Sequence, residues 1–392
     1  MYFSYSNFSV FLLIFFCQGV LYALLLLQKR IQFQDKASGW LSLFLFLCAM
    51  YIAPFMLGYA GWYSDEGYRN FMFYVPFQQL FLIGPVIYFY TQSLLNPSFL
   101  LSKDKILHFL PAIIYLIYSL IVFITDQLIL KTYYFYADEK DKDFDFWYQM
   151  TGLLSMIYYL SLSLKDYLKY RKKAFQELSF ANDVLFKWVQ QFLIAFLIIL
   201  MLRILFFMIN PEWGNFGNKL WYYACFSILF TFIAINGYTH AAQIRPLSAA
   251  NQLIKPTILK IENLSISEQI NQPLATENLD VKEWQDKINK LVRQGKIYEN
   301  PRLTITDVAN ALDRPPKLVS RIINEGFQLN FNDFINQHRT EAVIEKFQQG
   351  AHETKTLLAI AYECGFNSKS TFNRAFKKHT QLTPKQYLEK MA

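Results

Sequence analysis

A short polar and basic segment near the C-terminus carries residue types that can recognise double-stranded DNA. Residues 361–387 read AYECGFNSKSTFNRAFKKHTQLTPKQY, in which Gly365 and then Ser368 predict a sharp turn between two helices. The helix after the turn carries basic, amide and hydroxyl side chains on its outer face: Lys369, Ser370, Asn373, Arg374, Lys377 and Lys378. Because such side chains can hydrogen-bond base edges in the major groove, we expect a DNA-reading helix here.

The same pattern occurs a second time upstream. Residues 304–307 read TITD and predict a capped helix start, and residues 313–316 read DRPP, a turn with prolines that suit the first turn of a new helix. The helix predicted over 317–325 has three polar or basic side chains on its exposed face: Lys317, Ser320 and Arg321. A long helix over 332–348 would join the two motifs. One helix-turn-helix is weak support, because any helical hairpin can mimic it, whereas two in series are specific.

This C-terminal segment resembles the DNA-binding domain of the arabinose-regulator (AraC/XylS) family. The residues that carry the resemblance are Ala361, Gly365, Phe366, Ser368, Ser370, Phe372, Arg374, Phe376, Lys377, Thr383, Pro384 and Tyr387. Upstream, residues 319–323 resemble the Leu-Ser-Arg-Leu-Phe run of the family. Residues 84–88 and 108–111, which read GPVIY and HFLP, are similar to stretches in membrane-anchored members found among Bacteroidetes.

The resemblance assigns roles to individual side chains. It implies contacts to base edges by Lys317, Ser320, Arg321, Lys369, Ser370, Asn373 and Arg374, and contacts to phosphates by Lys377, Lys378 and Lys385. For Arg321 or Arg374 the alternative is a salt bridge within the domain. Two departures stand out, since Gln381 occupies a position where the family usually has glycine, and residues 324–325 replace a usual basic pair. The reader helices would enter consecutive major grooves about 34 Å apart.

The first 240 residues have the composition of a membrane domain. The chain is 54% apolar, with 38 Phe and 26 Tyr, and its mean hydropathy is +0.16. A membrane helix needs about 20 apolar residues. Seven runs meet this requirement, over 7–27, 39–60, 71–95, 106–125, 146–164, 188–209 and 219–239. The fold class predicted is therefore all-α, a seven-span bundle followed by a double helix-turn-helix domain.

The loop charges predict the orientation in the membrane. Basic residues follow the first, third and fifth spans: Lys29, Arg30, Lys36, Lys103, Lys105, Lys165, Lys169, Arg171, Lys172 and Lys173. Because basic loops stay on the cytoplasmic side, the N-terminus is expected outside and the chain after His240 in the cytoplasm. This predicts a multi-pass protein of the inner, cytoplasmic membrane whose C-terminal domain faces the DNA.

Two polar residues in or near the predicted spans are candidates for a ligand site. Arg203 lies inside the sixth span, and His108 lies at the cytoplasmic start of the fourth. An intramembrane charge is costly and often functional. Arg203 could bind an anionic ligand from outside, or it could be structural, reaching the headgroups or pairing with an acid at the outer span ends. The acids available there are Asp126, Asp145 and Glu212.

The sequence predicts three parts: a sensor domain over 1–240, a linker over 241–280 with a helix near 253–262, and a DNA-binding domain over 281–392. Residues 282–392 hold 18 Lys and Arg against 12 Asp and Glu, which suits a polyanionic partner. We therefore expect a one-component transcription regulator with promoter DNA, lipid and a second copy as partners, and an unknown small-molecule or membrane-derived signal.

The alternatives are a membrane enzyme or transporter with a regulatory domain, and a seven-span receptor that signals through a protein-interaction domain. Against an enzyme, the sequence contains no Gly-x-Ser-x-Gly, His-Glu-x-x-His or Walker motif. The four cysteines are scattered singly, without disulfide or zinc spacing. No catalytic residue, metal or cofactor is expected.

Overall fold

A computed structural model describes residues 6–96, 99–138, 140–184, 187–209, 219–250 and 281–391. The described part is helical and contains no strand, only one isolated backbone bridge, which confirms the all-α prediction. Contacts divide the chain into two compact units. Unit 1 comprises Met1–Tyr167 and Lys187–Ser267, and unit 2 comprises Leu168–Phe186 and Glu268–Ala392. Residues 168–186 thus belong with the C-terminal unit, although they lie within the predicted sensor domain in sequence.

The helices before the linker follow the predicted apolar runs. They are α1 (Asn7–Phe33), α2 (Lys36–Tyr59), α3 (Glu66–Tyr74), α4 (Leu80–Leu95), α5 (Lys103–Ile106), α6 (Leu110–Phe123), α7 (Phe146–Glu177), α8 (Ala181–Val184), α9 (Lys187–Ile209) and α10 (Leu220–Ala250). A π-helix over Ile124–Leu130 extends α6. Helix α10 continues ten residues past His240 into the predicted linker, and the helix predicted near 253–262 lies outside the described residues.

Five of the described helices are long and apolar enough to cross a membrane, fewer than the seven predicted spans. They cover Asn7–Phe33, Lys36–Tyr59, Lys103–Leu130, Lys187–Phe206 and Leu220–Ala241. The third predicted span, 71–95, is not one helix, because its start lies in α3 and its end forms α4. The 16 residues of α4 reach about 24 Å at about 1.5 Å per residue, less than a bilayer core of about 30 Å. The fifth lies in α7, a 32-residue helix with a polar, basic C-terminal half.

Helix α2 is the central element of unit 1. It is apolar on all sides and packs against α1, α4 and α10, so that most of its side chains are buried. Gly19 of α1 lies against the ring of Phe230 on α10, and a Cβ at this position would collide with that ring. The apolar faces of α6 stay exposed in the isolated chain, as expected of a helix in contact with lipid.

Unit 2 consists of two helical hairpins joined by one long helix. Its helices are α11 (Val281–Gln294), α12 (Ile305–Ala311), α13 (Pro316–Gly326), α14 (Phe331–Gln348), α15 (Ala351–Thr354), α16 (Leu357–Glu363), α17 (Lys369–Thr380) and α18 (Pro384–Met391). Helix α14 contributes Phe334 and Ile335 to the core of the first hairpin and Val343 and Phe347 to that of the second. One rigid element thus links both hairpins.

Candidate nucleic-acid interface

The first hairpin is a helix-turn-helix formed by α12 and α13. A capping box starts α12, in which the Thr304 hydroxyl accepts from the Asp307 N–H at 3.3 Å and the Asp307 carboxylate accepts from the Thr304 N–H at 2.8 Å. Asp313 takes a left-handed backbone conformation in the turn, with φ 51°. Four apolar residues of α13 are buried: Leu318, Val319, Ile322 and Ile323. On its other side Lys317 and Arg321 are exposed and Ser320 is half-buried.

The second hairpin is a helix-turn-helix formed by α16 and α17. Gly365 has φ 87°, and a Cβ there would collide with the carbonyl oxygen of Tyr298, so the turn requires glycine. The Ser368 hydroxyl caps α17 by accepting from the Thr371 N–H at 3.2 Å. Seven polar or basic side chains of α17 are exposed: Lys369, Ser370, Asn373, Arg374, Lys377, Lys378 and His379. The aromatic side chains beneath them, Phe366, Phe372 and Phe376, form the core.

Ion pairs divide the predicted DNA contacts into two groups. Arg321 donates to both carboxylate oxygens of Glu325, at 3.0 and 3.1 Å. Lys378 pairs with Asp333 at 2.7 Å, and Lys385 lies 3.7 Å from Glu389. The remaining four cations form no ion pair with any described residue: Lys317, Lys369, Arg374 and Lys377. The alternative role for Arg321, a salt bridge within the domain, is therefore present in the DNA-free structure.

The position where the family usually has glycine adopts the conformation that favours glycine. Gln381 ends α17 with φ 63°, and its N–H donates to the Lys377 carbonyl at 2.9 Å. Its side-chain amide donates to the Lys378 carbonyl at 3.2 Å. The turn therefore keeps its usual shape although an L-side chain is strained there.

The contact between the two hairpins centres on Arg339 of α14. Arg339 is 1% exposed, and its guanidinium donates to the carbonyls of Tyr298 at 2.9 Å and Asn300 at 2.8 Å. It also lies 6.0 Å from the Phe366 ring centre. Beside it, the Asn367 amide donates to the Pro301 carbonyl at 2.8 Å. The turn at 298–301, α14 and the turn of the second hairpin meet at this joint.

In unit 1, Arg203 donates hydrogen bonds to a neutral partner, Gln149. It is 3% exposed and donates to the Gln149 side-chain oxygen at 2.6 Å and to the Gln149 carbonyl at 3.3 Å. The Gln149 amide in turn donates to the Gln78 side-chain oxygen at 2.8 Å. Asp126 accepts from the Tyr74 hydroxyl at 3.0 Å, and Glu212 lies outside the described residues. The Nδ1 atom of His108 lies 2.8 Å from the Tyr159 hydroxyl.

Two buried carboxylates, Asp141 and Asp143, lie between the fourth and fifth predicted spans. Asp143 accepts from the Gln78 N–H at 2.9 Å and from the Tyr115 hydroxyl at 2.6 Å. Burial raises the pKa of Asp143 to about 6. Burial and the neighbouring Asp143 also raise the pKa of Asp141, which accepts from the Tyr63 hydroxyl at 2.6 Å. Five acids within 138–145 were the available sequence signal.

The family comparison identifies the class of unit 2. Residues 308–390 match the family model described as a helix-turn-helix domain. Unit 2 therefore contains an AraC-type helix-turn-helix domain, which confirms the resemblance seen in the sequence. This family consists of transcription regulators rather than enzymes, and its domain binds DNA.

Two relatives illustrate how far the similarity extends. An uncharacterized HTH-type transcriptional regulator of Staphylococcus aureus (strain COL) is 26% identical over 102 residues, which is 26% of this chain and 13% of that protein. An uncharacterized HTH-type transcriptional regulator in the cgkA 5′ region of Pseudoalteromonas carrageenovora is 28% identical over 145 residues, 33% of this chain and 86% of the relative. This chain thus spans a small part of the length of the S. aureus relatives. No solved structure matches significantly.

Proposed function

We propose that the protein is a membrane-embedded, one-component transcription regulator. Residues 1–240 form a seven-span sensor, 241–280 a linker, and 281–392 the domain that binds promoter DNA. One observation carries the proposal: a DNA-binding helix-turn-helix domain shares its chain with five helices long and apolar enough to cross a membrane. Such a chain can connect a membrane signal to DNA without a separate kinase.

The proposed topology has the N-terminus outside and unit 2 in the cytoplasm. It is supported by the basic residues that follow the first, third and fifth predicted spans. An odd number of crossings gives the DNA-binding domain access to the chromosome. The signal is a small molecule or a membrane-derived compound sensed by unit 1. The hydrogen bonds from Arg203 to Gln149 favour a structural role for this arginine over a role in binding an anionic ligand.

Two groups of side chains, one on each reader helix, recognise the base sequence of the DNA. Lys317, Ser320 and Arg321 on α13, and Lys369, Ser370, Asn373 and Arg374 on α17, contact base edges. Arginine and lysine suit guanine O6 and N7, and asparagine suits adenine. Lys377, Lys378 and Lys385 contact phosphates. A homodimer doubles the length of the DNA sequence that is read.

The salt dependence of DNA binding by the full chain in lipid nanodiscs tests this function. The probe is DNA selected from a random-sequence pool with the same protein. A regulator should show a sequence preference, and log K should fall with log salt by about 0.9 for each phosphate contact. A receptor that signals through a protein-interaction domain should show neither. Binding that is weak and indifferent to both salt and sequence would refute the proposal.

A further inference from the structure

The segment 178–182, between α7 and α9, is built into unit 2. Leu178 pairs with Thr304 in an isolated antiparallel bridge, and the Ser179 N–H donates to the Leu303 carbonyl at 3.1 Å. The Asn182 amide donates to the Asn332 side-chain oxygen at 3.3 Å. These contacts join residues more than 120 positions apart in sequence, so local patterns could not predict them.

The linking helix α14 binds Ser179 with three polar side chains, Asn332, Asn336 and Arg339, which together are called the seat below. The Ser179 carbonyl accepts from the Asn332 amide at 2.8 Å, and more weakly from Asn336 and Arg339, both at 3.4 Å. The Ser179 hydroxyl accepts from Arg339 at 3.1 Å. The Leu178 carbonyl accepts a further bond from Asn332 at 3.2 Å. Positions 332, 336 and 339 lie on one face of a helix, so the seat is formed by a single rigid element.

Apolar burial accompanies these hydrogen bonds. Leu178, Ser179, Phe180 and Ala181 are all buried, with Ser179 and Ala181 completely inaccessible to solvent. Connecting segments normally run over the surface, because buried backbone groups need partners. Here the carbonyls of Leu178 and Ser179 have those partners on α14. The burial is therefore that of a docked peptide rather than of an ordinary loop.

The seat lies at the joint between the two DNA-reading hairpins. Arg339 donates to Ser179 from both terminal nitrogens, Nη1 and Nη2. Nη1 also donates to the Asn336 side chain, Nη2 to the Asn300 carbonyl, and Nε to the Tyr298 carbonyl. The Leu178 N–H donates to the Ala174 carbonyl of α7 at 2.9 Å, and the other described hydrogen bonds of 178–182 go to Leu303 and to α14. None of the described bonds goes to a side chain predicted to face a base. Docking is thus compatible with DNA bound to both readers.

We propose that the segment 178–182 is an internal docking peptide that completes this joint and fixes the spacing of the two readers. It follows α7 directly and is followed within the chain by α9, which are the helices of the fifth and sixth predicted spans. A displacement of these helices therefore reaches the joint without passing through the linker over 241–280. The inference rests on one part of the proposed function, the binding of DNA by the reader helices α13 and α17.

A disulfide tests the docking itself. Partners in an antiparallel pair have Cα atoms about 4.5–5.5 Å apart, within the range of about 4.4–6.8 Å that a disulfide spans. The variant Leu178→Cys with Thr304→Cys, as a full chain in membranes, should form an intramolecular crosslink on mild oxidation. Each single variant is the matched control for the native cysteines. Absence of the crosslink, or a crosslinked dimer in its place, would overturn the proposal.

Two DNA probes test the effect on spacing: the selected site with both half-sites, and the same site with one half-site scrambled. Ser179→Arg sets a second cation against Arg339 and should lower affinity for the two-half-site DNA at least tenfold, with half-site affinity changed less than threefold. Ser179→Ala, which loses one hydrogen bond, should lie between this variant and the wild type. Equal loss on both probes, or no loss, would refute a role in spacing.

The crosslinked protein separates this role from inhibition and from misfolding. If docking completes the joint, the oxidised Leu178→Cys, Thr304→Cys variant should bind the two-half-site DNA within threefold of its reduced form. Loss of binding on oxidation would mean that the docked segment blocks DNA, which contradicts the proposal. Failure of the wild type to bind any selected DNA would refute the proposed function instead, and the crosslink would still report docking.

Discussion

At the scale of single residues, Arg321 and Arg374 occupy corresponding places on the two reader helices but differ in their DNA-free state. Arg321 is held by Glu325, whereas Arg374 is exposed and forms no ion pair with a described residue. An exposed ion pair within one helix stabilises by about 0.3–0.5 kcal/mol. DNA must displace Glu325 before Arg321 can reach a base, while Arg374 is available at once.

Replacing Arg374 by alanine should weaken specific binding by about 1–3 kcal/mol and relax the preference at one base pair, because a bidentate contact to guanine is lost. Competition binding against single-base variants of the selected site measures both effects. Lys290→Ala, which removes an exposed positive charge from α11, is the control and should leave the preference unchanged. If the Arg374 variant keeps the same preference at every base pair, Arg374 does not contact a base.

Replacing Glu325 by glutamine should strengthen DNA binding several-fold, since it frees Arg321 and removes a negative charge close to the phosphates. The salt slope of log K should also become steeper, because the variant carries one negative charge fewer on the helix that faces the DNA. Glu283→Gln breaks the comparable pair of α11 with Lys287, at 2.5 Å, and should change neither quantity. Unchanged affinity of the Glu325 variant would show that the pair does not compete with DNA.

Gln381→Gly should stabilise unit 2, because glycine has no strain at the left-handed φ of 63°. Glycine also gives the unfolded chain more freedom, which offsets part of this gain and leaves a net stabilisation of roughly 0.5–1 kcal/mol. Slower hydrogen exchange of the α17 amides in the full chain would report the gain. Gln349→Gly is the matched control, since Gln349 ends α14 with φ −81° and gains nothing from glycine. Equal effects of the two substitutions would contradict this explanation.

At the scale of elements, local signals in the sequence predicted where the helices of unit 2 begin and end. The capping side chains at 304–307, the prolines at 315–316 and Gly365 act within a few residues, so they predict where α12, α13 and α16 begin or end. The contacts that hold these helices together were not predictable in the same way. Arg339 and Ser179 lie 160 positions apart, and no local pattern relates them.

The predicted spans show a second limit of local reasoning. The structure has helices at all seven apolar runs. Helix α4, with 16 residues, is too short to be one of the five candidate membrane helices. For Arg203 the sequence suggested the lipid headgroups or an acid at the outer span ends. The structure adds Gln149, whose side-chain oxygen accepts from Arg203 at 2.6 Å and whose amide donates to Gln78. A neutral glutamine gives no sequence signal for this role.

The segment that carries Asp143 should make the stability of unit 1 depend on pH. With its pKa raised to about 6 from a usual value of about 3.9, the folded protein binds more protons than the unfolded chain between these values. The free energy of unfolding should therefore fall as pH rises from about 4 to about 6, and Asp141 adds to the trend.

Thermal unfolding in detergent across this pH range measures the trend. Asp143→Asn should reduce the slope, because it removes one of the two buried groups that titrate. Asp138→Asn is the control, since Asp138 is exposed and its hydrogen bonds with Lys142 lower its pKa. A slope that is the same in both variants would contradict the assignment to Asp143.

At the scale of the whole molecule, the proposed regulator combines a DNA-binding domain and a membrane domain in one polypeptide. In this proposal two parts of the chain connect them, the linker over 241–280 and the docking segment 178–182. DNA must then come to the membrane, and the two readers must keep a fixed spacing to bind it. The central claim is that α13 and α17 enter successive major grooves on one face of the DNA.

Hydroxyl-radical footprinting of the full chain in nanodiscs on its selected DNA tests this claim most directly. Each copy should protect two half-sites on the same face, about 10–10.5 base pairs apart, with Arg374→Ala weakening protection of one half-site of each pair. A single protected half-site, or two whose separation places them on opposite faces, would contradict it.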